Sequence, residues 1–240
     1  MNKLFICLIT LAFTSACSRV PITNRKQSAW ESETVLQKMS DTAYINFIAN
    51  NKLSSNKSQS DLVKKVGKNI ANSITEFFKT YEGGKYYARI SAYKWEFNTV
   101  EDPTVNAWCM PGGKVAFYTG ILPITQNETG IAVVMGHEIA HAVASHANER
   151  MSTGLVVNFG FAALSAAAGQ NPTLTQEIFL QSVGIGSELK MLQFSRKHEL
   201  EADRMGLIFM AMAGYDPREA PLFWGRMAED SEDEGLQFLS

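Results

Sequence analysis

His137, Glu138 and His141 stand in the string His-Glu-Ile-Ala-His, and they are the only strongly polar side chains in residues 131–144 (IAVVMGHEIAHAVA). On a helix, the two histidines lie one turn apart on one face, so their imidazoles can converge on a single metal ion. Glu138 is rotated by about 100° from His137. It can therefore stand beside the metal without ligating it, where a general base acting on a metal-held water belongs. The competing reading is a pair of core histidines satisfied by backbone carbonyls, with Glu138 as a buried partner. Three ionisable groups in so apolar a helix each need compensation, and a divalent cation held by neutral imidazoles supplies it.

Zinc held by two histidines takes a third protein ligand and keeps a position for water. The segment Ser195-Arg-Lys-His-Glu-Leu-Glu-Ala-Asp203-Arg-Met-Gly206 offers one at the start of another expected helix. Glu199 and Asp203 share a face, whereas Glu201 is rotated by about 200° from Glu199 and is expected to point elsewhere. Glu199 is then the third ligand, and Asp203 the acceptor that orients a ligand histidine through its other ring nitrogen. Spacing alone also allows a solvated helix with Glu/Arg pairs.

Together, HEIAH and SRKHELEAD resemble metallopeptidase family forty-eight, a gluzincin group that includes prenyl-protein endopeptidases, a mitochondrial inner-membrane quality-control protease and bacterial periplasmic proteases. The resemblance extends over Asn106-Ala-Trp-Cys-Met-Pro-Gly-Gly-Lys-Val-Ala-Phe-Tyr-Thr-Gly120, through His146, and through Ala213-Gly-Tyr-Asp-Pro217, covering most of residues 61–238. It implies an α+β fold: a mainly helical minimal gluzincin with a small sheet or hairpin beside the zinc helix. It implies one Zn2+ per chain on His137, His141 and Glu199, with Glu138 as general base. It also implies a substrate edge at the strand Asn106, Ala107, Trp108 and Cys109, because proteases bind extended peptides by strand addition. Relatives usually continue into a Thr-His-Pro stretch whose histidine lies near the zinc. The domain is accordingly expected to stop short of the usual C-terminus, and to be either a shortened form of weak activity or one that recruits a substitute for that residue, such as His198 or Arg204.

The elements that must position these groups follow from the pattern. Helices are expected over residues 29–49 and 61–81, with a polar loop at 54–60 (SSNKSQS) between them. Strands are expected near 92–99, 105–109 and 114–119, the last two joined at Pro111-Gly112-Gly113. Thr125 and Glu128 have capping-box spacing ahead of the zinc helix. Residues 154–169 (GLVVNFGFAALSAAAG) suit a buried helix or one touching a membrane surface.

Residues 1–16 carry one Lys and a short apolar run, and read as a signal peptide excluded from the fold. Thr-Ser-Ala before Cys17 resembles a bacterial lipoprotein processing site, although Thr14 stands where Leu is usual. The expectations are lipidation of Cys17 and a membrane partner through that anchor. The location expected is the bacterial cell envelope, facing the periplasm and at the outer membrane. Residues 17–60 would form a lipidated extension with one helix, and 61–240 the metallopeptidase domain. A net charge of −2 over 240 residues leaves no basic footprint for nucleic acid. Cys109, before the Pro-Gly-Gly turn, reads as a packing residue, which disfavours a thiol protease.

The expected function is zinc-dependent hydrolysis of peptide bonds in unfolded envelope polypeptides, as in protein quality control. Glu138 would take the proton from the zinc-activated water and pass it to the leaving amine. The alternative is a metal-stabilised, non-proteolytic chaperone or assembly factor for outer-membrane proteins. Glu138 separates the two, because a purely structural site needs no acid beside its histidines.

Overall fold

The computed structural model describes residues 17–159, 172–185 and 196–233. In chain order these form β1 (Cys17–Arg19), β2 (Lys26–Ser28), α1 (Glu33–Asn50), α2 (Lys57–Phe78) and α3 (Tyr87–Ser91). Then follow β3 (Glu96–Val100), β4 (Ala107–Met110), β5 (Lys114–Tyr118), α4 (Leu122–Thr125), α5 (Glu128–Val143) and α6 (His146–Phe159). The last three are α7 (Pro172–Val183), α8 (Arg196–Met212) and α9 (Glu219–Asp233). The fold is α+β and mainly helical, with the small sheet beside the helix that carries HEIAH.

That helix, α5, is apolar all round because it is buried all round, with thirteen of its sixteen residues in the core. It is packed by α2, α8, α9 and the edge of the sheet. Its first turn is capped by Asn127, whose Oδ1 accepts from the amides of Thr129 at 2.9 Å and Gly130 at 3.0 Å. The capping box expected at Thr125 does not form. Thr125 ends α4 instead, its hydroxyl donating to the Leu122 carbonyl at 2.8 Å, and Gln126 turns the chain at φ 61°. At the other end, Arg89 donates to the Val143 carbonyl at 2.7 Å, and Tyr93 to that of Ala142 at 3.2 Å. These bonds satisfy carbonyls that a helix end would otherwise bury unpaired.

The three-stranded sheet has the order β3-β5-β4. β3 runs parallel to β5 with Phe97 opposite Val115, and β4 runs antiparallel to it with Cys109 opposite Val115. The β4–β5 turn is Pro111-Gly112-Gly113, both glycines having φ above +80°. The stretch at 54–60 is only partly a loop: Asn56 caps α2 through the Gln59 amide, so the helix starts four residues earlier than expected.

The N-terminal segment is built into the same cores. Val20 is 0% exposed among the residues packed on α5, and Leu36, Ala43 and Tyr44 of α1 pack with Trp108 and Ala116 of the sheet. Phe47 meets the Trp108 ring edge-on at 4.8 Å. The apolar stretch 154–169 begins in α6, and residues 160–169 lie outside the described residues. Among the described helices, none is long and apolar enough to cross a membrane.

Candidate metal centre

Two glycines set the site. α5 and α8 cross where Gly136 meets Gly206, and a Cβ on Gly206 would lie 2.8 Å from the His137 amide nitrogen. One on Gly136 would lie 2.7 Å from the Gly206 carbonyl oxygen. Only backbone meets backbone here, which lets the two helices approach more closely than side chains permit. The half-exposed Glu199 thereby comes over the two buried histidines. Its Oε2 lies 3.3 Å from His137 Nε2 and 3.5 Å from His141 Nε2, while the two Nε2 atoms are 3.0 Å apart. Bonds of 2.0–2.1 Å in a tetrahedron give ligand–ligand edges of about 3.3 Å, which is the size of this triangle. Among the described residues, these three form the one group of His, Cys, Asp or Glu donors close enough to share an ion.

The hydrogen bonds behind the histidines decide which ring nitrogen carries the proton. His137 Nδ1–H donates to Asp203 Oδ1 at 2.8 Å, leaving Nε2 as a lone pair. His146 Nε2–H donates to Glu201 Oε2 at 3.0 Å, so His146 Nδ1 can only accept. It accepts from His141 Nδ1–H at 2.8 Å, which turns the His141 Nε2 lone pair towards that of His137. Two lone pairs and a carboxylate oxygen then converge, an arrangement that repels itself unless a cation sits among them. The donor set fits a divalent metal.

The electrostatics ask for the same charge. Burial would push His137 down, but bonds to Asp203 and Glu199 raise it to about 10, so that without a metal the ring draws a second proton onto Nε2, the positive charge that a metal ion would supply there instead. Glu199 is itself held well below the usual carboxylate range: burial opposes this, and the two histidines outweigh it. His141 and His146 are pushed down chiefly by burial, His146 to about 4, so both are neutral at pH 7.

Glu138 is half-buried, and burial raises it to about 7, against the pull of His137 and Arg150. A carboxylate so poised can take and return a proton near neutrality. The partly buried Arg150 lies on the far side of Glu199, with its Nη1 4.0 Å from Oε1. Next to the triangle, a cavity of about 230 Å³ is walled by Val133, His137, Leu207, Met210 and Trp224. The Trp224 ring meets His137 edge-on at 5.5 Å.

Ala107, Trp108 and Cys109 lie on β4, which has one strand neighbour among the described residues. Their side chains are buried, so this edge offers backbone rather than side-chain groups; Asn106 precedes it, its carbonyl accepting from the Tyr118 amide at 3.1 Å. The Cys109 thiol is pushed well above its ordinary value by burial and by Glu138, which suits a packing residue. His198 faces inward, bonded to Glu149 at 2.9 Å, so it does not stand in as a donor at the site.

Sequence reasoning missed His146 and Glu201 as partners. Glu201 does point away from the triangle, but it is buried and carries the bond that orders His146. The signal was present in HEIAHAVASH: Ser145, at φ 57°, breaks the helix and folds His146 back onto His141. Nothing local could have indicated Arg25, which binds Glu201 and Glu149 from the far end of the chain.

Comparison with known proteins agrees with this chemistry. The profile of peptidase family M48 matches residues 86–238. The mitochondrial metalloendopeptidase OMA1 of Schizosaccharomyces pombe is 39% identical over 153 residues, 63% of this chain and 43% of that protein. Human mitochondrial metalloendopeptidase OMA1 is 34% identical over 143 residues, 58% of this chain and 27% of that one. The putative beta-barrel assembly-enhancing protease of Vibrio cholerae is 32% identical over 142 residues, 56% and 28% of the two chains. The chain thus spans less than half the length of these relatives. The matches overturn the bacterial envelope and outer-membrane location expected from residues 1–17, because the relatives matched at the higher identities are mitochondrial. A short apolar run behind one Lys does not encode a particular membrane. Residues 1–16 lie outside the described residues, and Cys17 enters the structure as the first residue of β1, opposite Ser28.

Proposed function

Because this chain belongs to peptidase family M48, we propose that it is a zinc-dependent endopeptidase acting on unfolded polypeptides, with His137, His141 and Glu199 as the zinc ligands. The observation that carries this reading is the triangle of two lone pairs and one carboxylate oxygen at tetrahedral spacing. Zinc held there would supply a Lewis acid, able to make a water acidic enough to lose its proton near neutral pH. Glu138 takes the proton of the attacking water on its carboxylate and delivers it to the amine nitrogen that leaves. Asp203 and His146 keep the two imidazoles in the tautomers that face the metal. Arg150 places a fixed positive charge beside Glu199 and Glu138, where negative charge builds up in the transition state.

The substrate adds as an extended strand along β4, pairing with the backbone of residues 106–109. One apolar side chain enters the cavity walled by Val133, Leu207, Met210 and Trp224. An unfolded chain can supply such a strand anywhere along its length, which suits quality control.

The test is turnover of unfolded casein by wild type and by Glu138→Gln, each with its metal content measured and with a chelator added in parallel. Expected are about one zinc per chain in both proteins, cleavage by wild type alone, and loss of cleavage with the chelator. Cleavage by Glu138→Gln at the wild-type rate refutes the mechanism.

A further inference from the structure

The bonds that order His141 do not stop at Glu201. Arg25 Nε–H donates to Glu201 Oε2 at 2.7 Å, and the Thr23 hydroxyl donates to Glu201 Oε1. The same guanidinium grips Glu149 with both terminal nitrogens, at 3.1 and 2.8 Å. Glu149 in turn accepts from His198, whose ring stacks on His146 at 4.2 Å and 15°. Thr23 and Arg25 lie in the turn between β1 and β2, outside the residues matched by the family profile. That hairpin is anchored by Val20 in the core and by the buried Gln27.

We propose that the β1–β2 hairpin is a working part of the metal centre, with Arg25 and Thr23 as positioning residues that reach His141 through Glu201 and His146. The inference rests on the zinc reading above. Each member leaves the next a single option. Arg25 and Thr23 occupy both Glu201 oxygens, so the carboxylate cannot rotate away from His146. With its Nε2–H held on Glu201, His146 accepts at Nδ1. His141 must donate there, and its Nε2 lone pair has only the metal to face. Glu149 holds the two terminal nitrogens of the guanidinium, so Arg25 presents its Nε to Glu201 in a fixed direction, which a looser cation does not. Nothing in a surface ion pair would need this: Glu201, His146 and His198 are all buried, and the Arg25 and Thr23 bonds join them to the N-terminal segment.

The experiment measures zinc affinity of the full chain by competition with a chromophoric chelator. It also records the visible spectrum of the cobalt-loaded protein, which reports ligand geometry without turnover. Removing the outer partner of a metal-ligating histidine weakens metal binding about 10- to 100-fold. Arg25→Met, which acts through Glu201 and His146 on that partner, is expected to lose affinity towards the lower end of that range, about tenfold, and to alter the cobalt bands, with far-ultraviolet circular dichroism unchanged. Arg25→Lys should restore only part of the loss. Thr23→Val, which removes one bond at nearly constant shape, should weaken binding by a smaller factor and keeps the test decisive if Arg25→Met does not fold. Lys52→Met, which removes the exposed Lys52–Glu101 pair, should bind like wild type. Affinity within twofold of wild type and unchanged cobalt bands in every folded Arg25 and Thr23 variant overturn this inference alone. A wild-type chain that takes up no zinc, or a Glu199→Ala chain that binds it as tightly, overturns the zinc reading and this inference with it.

Discussion

Gly206→Ala should damage the metal centre more than it damages the fold. A Cβ at Gly206 would meet the His137 nitrogen at 2.8 Å, the Gly136 carbonyl carbon at 2.9 Å and the His137 Cα at 3.0 Å, where ordinary contact starts at 3.4 Å. All three obstacles are backbone of α5, so no side chain can swing aside, and α8 must retreat by about 0.6 Å at the crossing to relieve the overpacking. Overpacking of this kind costs about 1–3 kcal/mol, and replacing a helical glycine by alanine returns about 0.8–1.0 kcal/mol. The net loss of stability is then about 0–2 kcal/mol. Glu199 and Asp203 ride on the same helix, whereas metal–ligand distances tolerate only about ±0.2 Å. Zinc affinity should therefore fall at least tenfold, about the effect of losing a ligand's supporting bond. Gly225→Ala is the control, because α9 leaves open space around that position; it should gain about 0.5–1 kcal/mol and leave affinity unchanged. The assays are thermal unfolding of the metal-free chains and zinc affinity by chelator competition. A Gly206→Ala protein that binds zinc as tightly as wild type refutes the claim that this glycine crossing sets the donor triangle.

Three further outcomes are expected. Glu138→Gln should keep its zinc and its melting temperature while turnover falls by at least about 100-fold, the contribution of a positioned general base; atomic absorption and peptide cleavage read the two separately. Glu199→Ala should lose zinc outright, whereas Glu201→Ala, which removes the partner of His146 rather than a ligand, should retain zinc with affinity weakened about 10- to 100-fold; equal affinity in the two variants would contradict their different positions. Acid should destabilise the fold in two overlapping windows. Burial holds His146 at about 4 in the folded chain; burial pushes Glu201 up, but bonds to His146, Thr23 and Arg25 outweigh this and hold it at about 2. The unfolded chain therefore binds the extra proton first, at His146 between pH about 6.5 and 4 and at Glu201 between about 4.5 and 2, so stability falls as pH falls through each. Urea titrations of metal-free protein from pH 7 to 3 should show this decline, with a shallower slope below pH 4.5 in Glu201→Gln than in wild type.

Much of the site is written in local spacing. Positions i and i+4 on a helix share a face whatever the helix packs against, so the pairing of His137 with His141, and of Glu199 with Asp203, is legible in the sequence itself. So is the burial of α5, because fourteen residues with three polar side chains leave no face for water. What spacing could not supply is partnership. The face of Glu201 is read from its position, but only the packing shows that this face meets His146, which a left-handed Ser145 has folded under His141. Thr125 and Glu128 have the separation of a capping box, yet the chain caps α5 with Asn127, because α4 consumes Thr125 first. Gly136 and Gly206 are ordinary as letters, and their value exists only where two helices cross. Arg25 acts from a hairpin far from α5 and α8 in sequence, held there by Val20 in a core that residues from the whole chain build together. Periodicity records which way a side chain points from its own backbone; what it meets there depends on long-range packing, and that only the tertiary structure decides.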